Sequence, residues 1–112
     1  MSDQEIEKAL CLNISEKIDY SPKSMRCQTI IKKNTGNITA MSFDAGEGLK
    51  KKTLPFDIFA HVIDGAAEIL IDDVSYCLEN GQSIVIPAHS SHEFKANERF
   101  KMIVSIIKSG YE

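Results

Sequence analysis

The sequence predicts an all-β fold, a jelly-roll barrel preceded by a short N-terminal helix. Apolar and polar residues alternate with period two over most of the chain. Residues suited to turns recur roughly every eight to twelve positions, the spacing of sandwiches and barrels. No long helical pattern follows Leu10. The division this suggests is 1–25 for the helix and lead-in and 26–112 for the barrel, whose strands run from about Arg26 to Lys108.

Ser2 followed by Glu5 has the form of a capping box, and Ile6, Ala9 and Leu10 would share one helical face, so a helix is expected through about Leu10. The strand candidates are 26–32, 38–43, 56–64, 66–71, 74–78, 83–86, 92–96 and 100–107. Between them stand Asn34-Thr35-Gly36-Asn37, Asp64-Gly65, Asp72-Asp73 and Asn80-Gly81, residues that tolerate positive φ or bond back to their own backbone, as hairpin turns require. No internal repeat or low-complexity stretch marks a second unit.

A chain of 112 residues suits one hydrophobic core. Thirteen basic against sixteen acidic residues give a net charge of -3 and no basic stripe, which argues against a nucleic-acid partner. The longest apolar runs, such as IVSII at 103–107, are too short to cross a bilayer, so no membrane role is expected. The opening MSDQEIEKAL lacks the basic start and apolar stretch of a secretory signal. Cys11, Cys27 and Cys77 are odd in number and widely spaced, which fits reduced thiols in a cytoplasm better than a disulfide framework or zinc knuckle.

In FAHVID, Phe59, His61 and Ile63 alternate with Ala60, Val62 and Asp64, so both faces of this strand carry apolar side chains. One face can line the barrel. The other needs the N-terminal segment or a second subunit over it, and a homodimer is expected.

Two spaced motifs carry a resemblance. From Gly46, five residues lead to Lys52, one more to Leu54, three more to Ile58 and six more to Gly65. From Gly81, QSIVI leads to Pro87, then to His89, His92 and Ala96. This frame resembles that of small single-domain cupins of the cupin 2 conserved barrel type, whose motifs are written G-x5-H-x-H-x3,4-E-x6-G and G-x5-P-x-G-x2-H-x3-N. The short segment between Gly65 and Gly81 also resembles that of compact bacterial cupins, and the matched region covers nearly half the chain. The resemblance implies a double-stranded β-helix. In the family, two histidines and a glutamate of the first motif join the histidine of the second to hold a divalent metal. Here Lys52, Leu54 and Ile58 stand in the first three positions and only His92 is kept, so the motif is degenerate and no metal or other cofactor is expected.

Leu54 and Ile58 offer no lone pair, and a protonated Lys52 opposes a cation. Rebuilding a site around His92 from Asp57, His61, His89 or Cys77 is disfavoured, because an inward Ile58 sends Asp57 and His61 to the opposite face and His89 falls in the preceding turn. Cys77 is by default a small buried apolar residue. A lone histidine is more often structural than catalytic, so the default for His92 is a hydrogen-bonded residue in a small polar pocket, with ligand contact or acid–base work the sharper alternative. Lys50-Lys51-Lys52 is by default a solvated loop.

Lys52 is nevertheless the most informative position. The resemblance points its side chain into the barrel, where an ammonium would hold the carboxylate or phosphate of a small ligand. Met41, Phe43, Leu54, Phe56, Ile58, Met102 and Val104 read as core, with Met41, Phe43, Leu54 and Ile58 candidates to shape the pocket beside Lys52 and His92. Three functions follow, in descending order of support. They are a non-metal cupin that binds a small, anionic molecule and leans away from enzymatic activity, a metal-independent isomerase or epimerase with His92 as base, and a metal-dependent dioxygenase or lyase.

Overall fold

The computed structural model describes residues 4–110. After a four-residue helix, α1 (Ile14–Lys17), eight strands follow: β1 (Met25–Lys33), β2 (Gly36–Phe43), β3 (Gly48–Thr53), β4 (Ile58–Ile71), β5 (Val74–Glu79), β6 (Ser83–Ile86), β7 (Ser91–Lys95) and β8 (Phe100–Ile107). They form a curled antiparallel sheet in the order β1-β2-β8-β4-β7-β3, with β5 and β6 each paired to β4. This is the all-β jelly roll that the sequence predicts.

The core follows from the pleat. On β4, Ile58, Ala60, Val62, Ala67, Ile69 and Ile71 are buried, and on β8 the same period buries Phe100, Met102 and Val104. Phe43 stacks on Phe100 at 4.7 Å between ring centres and meets the edge of Phe94 at 6.4 Å, which closes one end of the barrel.

Three local expectations are corrected. Residues 4–10 are not helical, and Ser2 lies outside the described residues. The Ile6 amide instead donates to the Thr29 carbonyl (3.2 Å), the Gln28 side chain to the Gln4 carbonyl (3.0 Å) and the Lys32 amide to the Glu5 carboxylate (3.0 Å). The segment thus satisfies the free edge of β1, a gain that one marginal turn of helix does not match. The helix that does form comes later, where Asn13 caps α1 by accepting from the Ser15 amide.

Asp64-Gly65 is not a hairpin turn. The two segments read as 56–64 and 66–71 are one strand, β4, which pairs with β6 and β8 in its first half and with β5 and β7 in its second. The strand turns a corner at the irregularity between Val62 and Asp64. Gly65 permits this with φ at +70°, and a Cβ there would lie 2.1 Å from the Arg99 carbonyl oxygen. Asn34-Thr35, Asp72-Asp73 and Asn80-Gly81 stand between strands as expected, while Gly36 and Asn37 already belong to β2; Asp72 and Asp73 both take positive φ (48° and 67°), as a tight two-residue hairpin needs.

Lys50-Lys51-Lys52 is not a loop but the middle of β3. Among the described residues this strand pairs only with β7 and lies at the end of the sheet, where lysines blunt an exposed edge. Its one apolar side chain, Leu49, leaves no alternation to read.

Beyond α1, Ile18 is buried, the Ser42 hydroxyl donates to the Asp19 carbonyl (2.7 Å) and Tyr20 lies beneath Arg99 and Lys101. The lead-in thereby covers the outer face of β2 around Ala40 and Ser42, both buried. It does not cover all of that sheet, and Phe59 is 44% exposed.

Candidate functional site

β7 begins at a turn that fixes its first residues. Asp57 accepts from the Ala88 amide (2.8 Å) and Leu54 accepts from the His89 amide (2.8 Å), so the segment between β3 and β4 is stitched to the segment between β6 and β7. His89 stands where the second motif carries glycine, and it has a φ of +69°. The turn sends His92 into the barrel, where it is 3% exposed and has Lys52 and Ile71 as its neighbours on the flanking strands.

The imidazole of His92 departs from the expected bonded state. Its Nδ1 is buried with no hydrogen-bond partner, the condition that normally costs a folded protein and calls for a reason. Burial pushes its pKa below the ordinary 6.5, the Lys52 ammonium pushes it further down, and the Ser90 backbone opposes them in part. His92 is therefore a neutral ring held beside a cation.

Lys52 itself is exposed, so it stands at the rim, with its charge bearing on the interior. The bulge between Leu49 and Lys52 sets this facing and leaves Lys51 to pair with Asp73 in the β4–β5 turn. Leu54 and Met41 are partly buried and pack against the core, whereas Ile58 and Phe43 are fully buried within it. Lys52 and His92 are thus brought together, Met41 and Leu54 lie on the shell of the core, and Phe43 and Ile58 form its interior. Three clefts elsewhere are lined by other residues, among them one of about 360 Å³ between the Gly46–Lys50 and Glu93–Asn97 segments.

The alternative donors are dispersed. His61 faces the outside, with Nδ1 2.6 Å from the Ser83 hydroxyl. Cys77 is exposed on β5, a correction to the buried residue expected, because its strand is an edge whose outer side faces solvent. Among the described residues no group of three or more His, Cys, Asp or Glu side chains is placed to hold a metal ion.

Solved structures give the family. A conserved Streptococcus pyogenes protein of unknown function is 30% identical, with 96% of this chain and 94% of that one covered and a TM-score of 0.90. A cupin 2 conserved barrel domain protein from Leptotrichia buccalis is also 30% identical, over 87% of this chain, with a TM-score of 0.84. The chain belongs to the cupins. It spans 47% of the Leptotrichia chain, about half. A cupin superfamily protein from Desulfitobacterium hafniense shares the fold at 21% identity, over 93% of this chain and 95% of that one, with a TM-score of 0.86. No family model matches the sequence, and no curated protein does.

The cupin metal position can be tested against the donors present. The four ligand positions of the motifs hold Lys52, Leu54, Ile58 and His92, which supply one imidazole, two alkyl groups and a cation. This set does not fit a divalent ion. What it offers instead is a positive charge beside a ring with a buried, unpartnered nitrogen, in a partly apolar surround. That combination suits a small anion. A carboxylate would pair with the ammonium and, with Nδ1 protonated, accept a hydrogen bond from the ring. Cys27 lies on β1 opposite Met41 and is half-buried. Only its place in the period-two pattern, two residues before Thr29, could have signalled that it shares the face of Met41.

Proposed function

We propose that this cupin is a binding protein for a small carboxylate-bearing molecule, held at the rim of the barrel by Lys52 and His92 without a metal. The observation that carries the proposal is the pairing of an exposed ammonium with a buried imidazole nitrogen that has no partner in the fold. A lone buried nitrogen is explained if a ligand completes its hydrogen bond. We further propose that the protein acts as a cytoplasmic homodimer.

The test is calorimetric titration with acetate, succinate, 2-oxoglutarate and inorganic phosphate, in protein purified without chelators and assayed for metal. The expected result is saturable binding of at least one carboxylate, lost in Lys52→Met and weakened in His92→Met. Absence of binding across the panel, or a stoichiometric transition metal whose retention depends on His92, overturns the proposal.

One observation favours an isomerase or epimerase as a second reading. A neutral His92 is able to accept a proton, which a general base must do. Against it, the groups that bear on His92 are Lys52 and the Ser90 backbone, and neither is the orienting carboxylate such a base normally has.

A further inference from the structure

His92 has a cation and apolar groups around it. Its cross-strand neighbours are Lys52 on β3 and Ile71 on β4, and the Phe94 ring stands 5.8 Å from it on its own strand. The carboxylates on these elements are committed to other partners or to the other face. Glu93 alternates to the opposite face of β7, Asp72 accepts from the Ser91 amide at 2.9 Å, Asp73 pairs with Lys51, and Glu68 accepts from Ser75 and Asn97. Burial and the Lys52 charge both disfavour a proton on the ring, with the Ser90 backbone opposing them. The fold thus buries Nδ1 without a partner and sets an ammonium, not an anion, beside the ring.

An anion that pairs with Lys52 reverses these conditions. It cancels the field of the ammonium at the ring and presents its own negative charge there. A neutral imidazole carries hydrogen on one nitrogen only, whereas an imidazolium carries it on both, so protonation guarantees a donor at Nδ1. The resulting bond to a carboxylate joins two opposite charges and is stronger than one from a neutral ring.

We infer that the site takes up a proton together with its ligand, so that a carboxylate held by Lys52 is bound with a hydrogen ion on His92 and is released as the solution turns alkaline. This rests on the carboxylate-binding reading and extends it from what is bound to how binding is regulated. A buffer acid gives up the proton, an N–H bond forms on His92, and the carboxylate lies between an ammonium and an imidazolium.

The test is calorimetric titration of the intact chain with acetate and with 2-oxoglutarate near pH 6.5, in Bis-Tris and in imidazole. These buffers differ in enthalpy of ionisation, and neither is an anion that would compete. The binding enthalpy is expected to differ between them in proportion to the proton taken up. The affinity is expected to be about fivefold higher at pH 6 than at pH 8, within the limit of about tenfold that a rise of one in the ring's pKa on binding allows. Both ligands stay ionised over that range, because carboxylates titrate at roughly pH 4 to 5. Both effects should vanish in His92→Asn, whose amide nitrogen stands near the position of Nδ1 and does not titrate. In the wild type, NMR of the imidazole Cε1 protons shows which of the three histidines takes up the proton, a result that does not depend on the variant folding.

Equal enthalpies in the two buffers, or an affinity level from pH 8 to pH 6, overturn the inference and leave the binding function standing. Uptake assigned to His61 or His89 does the same. Absence of carboxylate binding at both ends of the range overturns both readings.

Discussion

The Tyr20 hydroxyl donates to Asp64 Oδ2 at 2.6 Å, tying the lead-in to the corner where β4 passes from one half of the barrel to the other. Burial and this bond to Asp64 together push the phenol well above its ordinary pKa, while Arg99 over the ring opposes them. Tyr20→Phe keeps the ring beneath Arg99 and Lys101 but leaves Asp64 without the Tyr20 donor. The expected loss is about 1–2 kcal/mol in chemical denaturation, the cost of deleting one partner of a partly buried hydrogen bond to a charged group. A loss indistinguishable from zero would mean that the lead-in is held by Ile18, the Asp19 carbonyl and the contacts of Arg99 and Lys101 without help from the Tyr20 hydroxyl.

His89 occupies a left-handed conformation that the second cupin motif reserves for glycine. His89→Gly relieves the clash between Cβ and backbone at the cost of a more flexible unfolded chain, while the backbone bond to Leu54 is kept. The balance is a gain of about 0.5–1 kcal/mol, seen as a higher melting temperature. A fall would show that the His89 side chain makes a contribution larger than the strain.

These residues also show which features could be read in advance. Turn chemistry at Asn34–Asn37, Asp72-Asp73 and Asn80-Gly81, the period-two burial on β8 and the spacing of Gly46, Gly65, Gly81, Pro87 and His92 were enough for the jelly roll, because each is a local requirement of the backbone. The same local logic fails at Gly65. A glycine with positive φ serves a hairpin or a bent continuous strand equally, and only the Arg99 carbonyl on a neighbouring segment decides between them. It fails at β3, where an edge strand needs no alternating apolar residues, and at residues 4–10, where docking along β1 outweighs helix propensity. Within the candidate site, the facing of Lys52 and His92 follows from the family frame. The missing partner of Nδ1 depends on what the neighbouring strands place around the ring, which no local pattern encodes.

Phe59 and Val85 are cross-strand partners on the outer face, and both are exposed, as is Ile107 on that face of β8. No charged side chain separates the first two, and N-terminal coverage stops at β2 and the corner. Two copies meeting through this face would each bury the same patch, as a twofold contact requires. Sedimentation equilibrium is expected to give twice the chain mass for the wild type and the chain mass for Phe59→Asp/Val85→Asp, with the circular dichroism of the fold retained. A monomeric wild type at tens of micromolar would remove the dimer.

The depressed pKa of His92 gives stability a defined pH dependence. A histidine whose folded pKa lies below its unfolded value of 6.5 binds more protons unfolded than folded between the two. Its contribution is therefore complete above about pH 6.5 and is lost as pH falls from there through the lower folded value. The paired carboxylates of Glu5 and Glu68 titrate below their ordinary 4.5 and so contribute only in a more acid range. The melting temperature of the wild type is expected to be level from pH 8 to 7 and to decline below about 6.5. His92→Met removes the unpartnered nitrogen as well as the titration, so the variant should match or exceed the wild type near pH 6 while binding carboxylate less well. Equal pH slopes in the two proteins between 6.5 and 5 would show that His92 is not the group responsible.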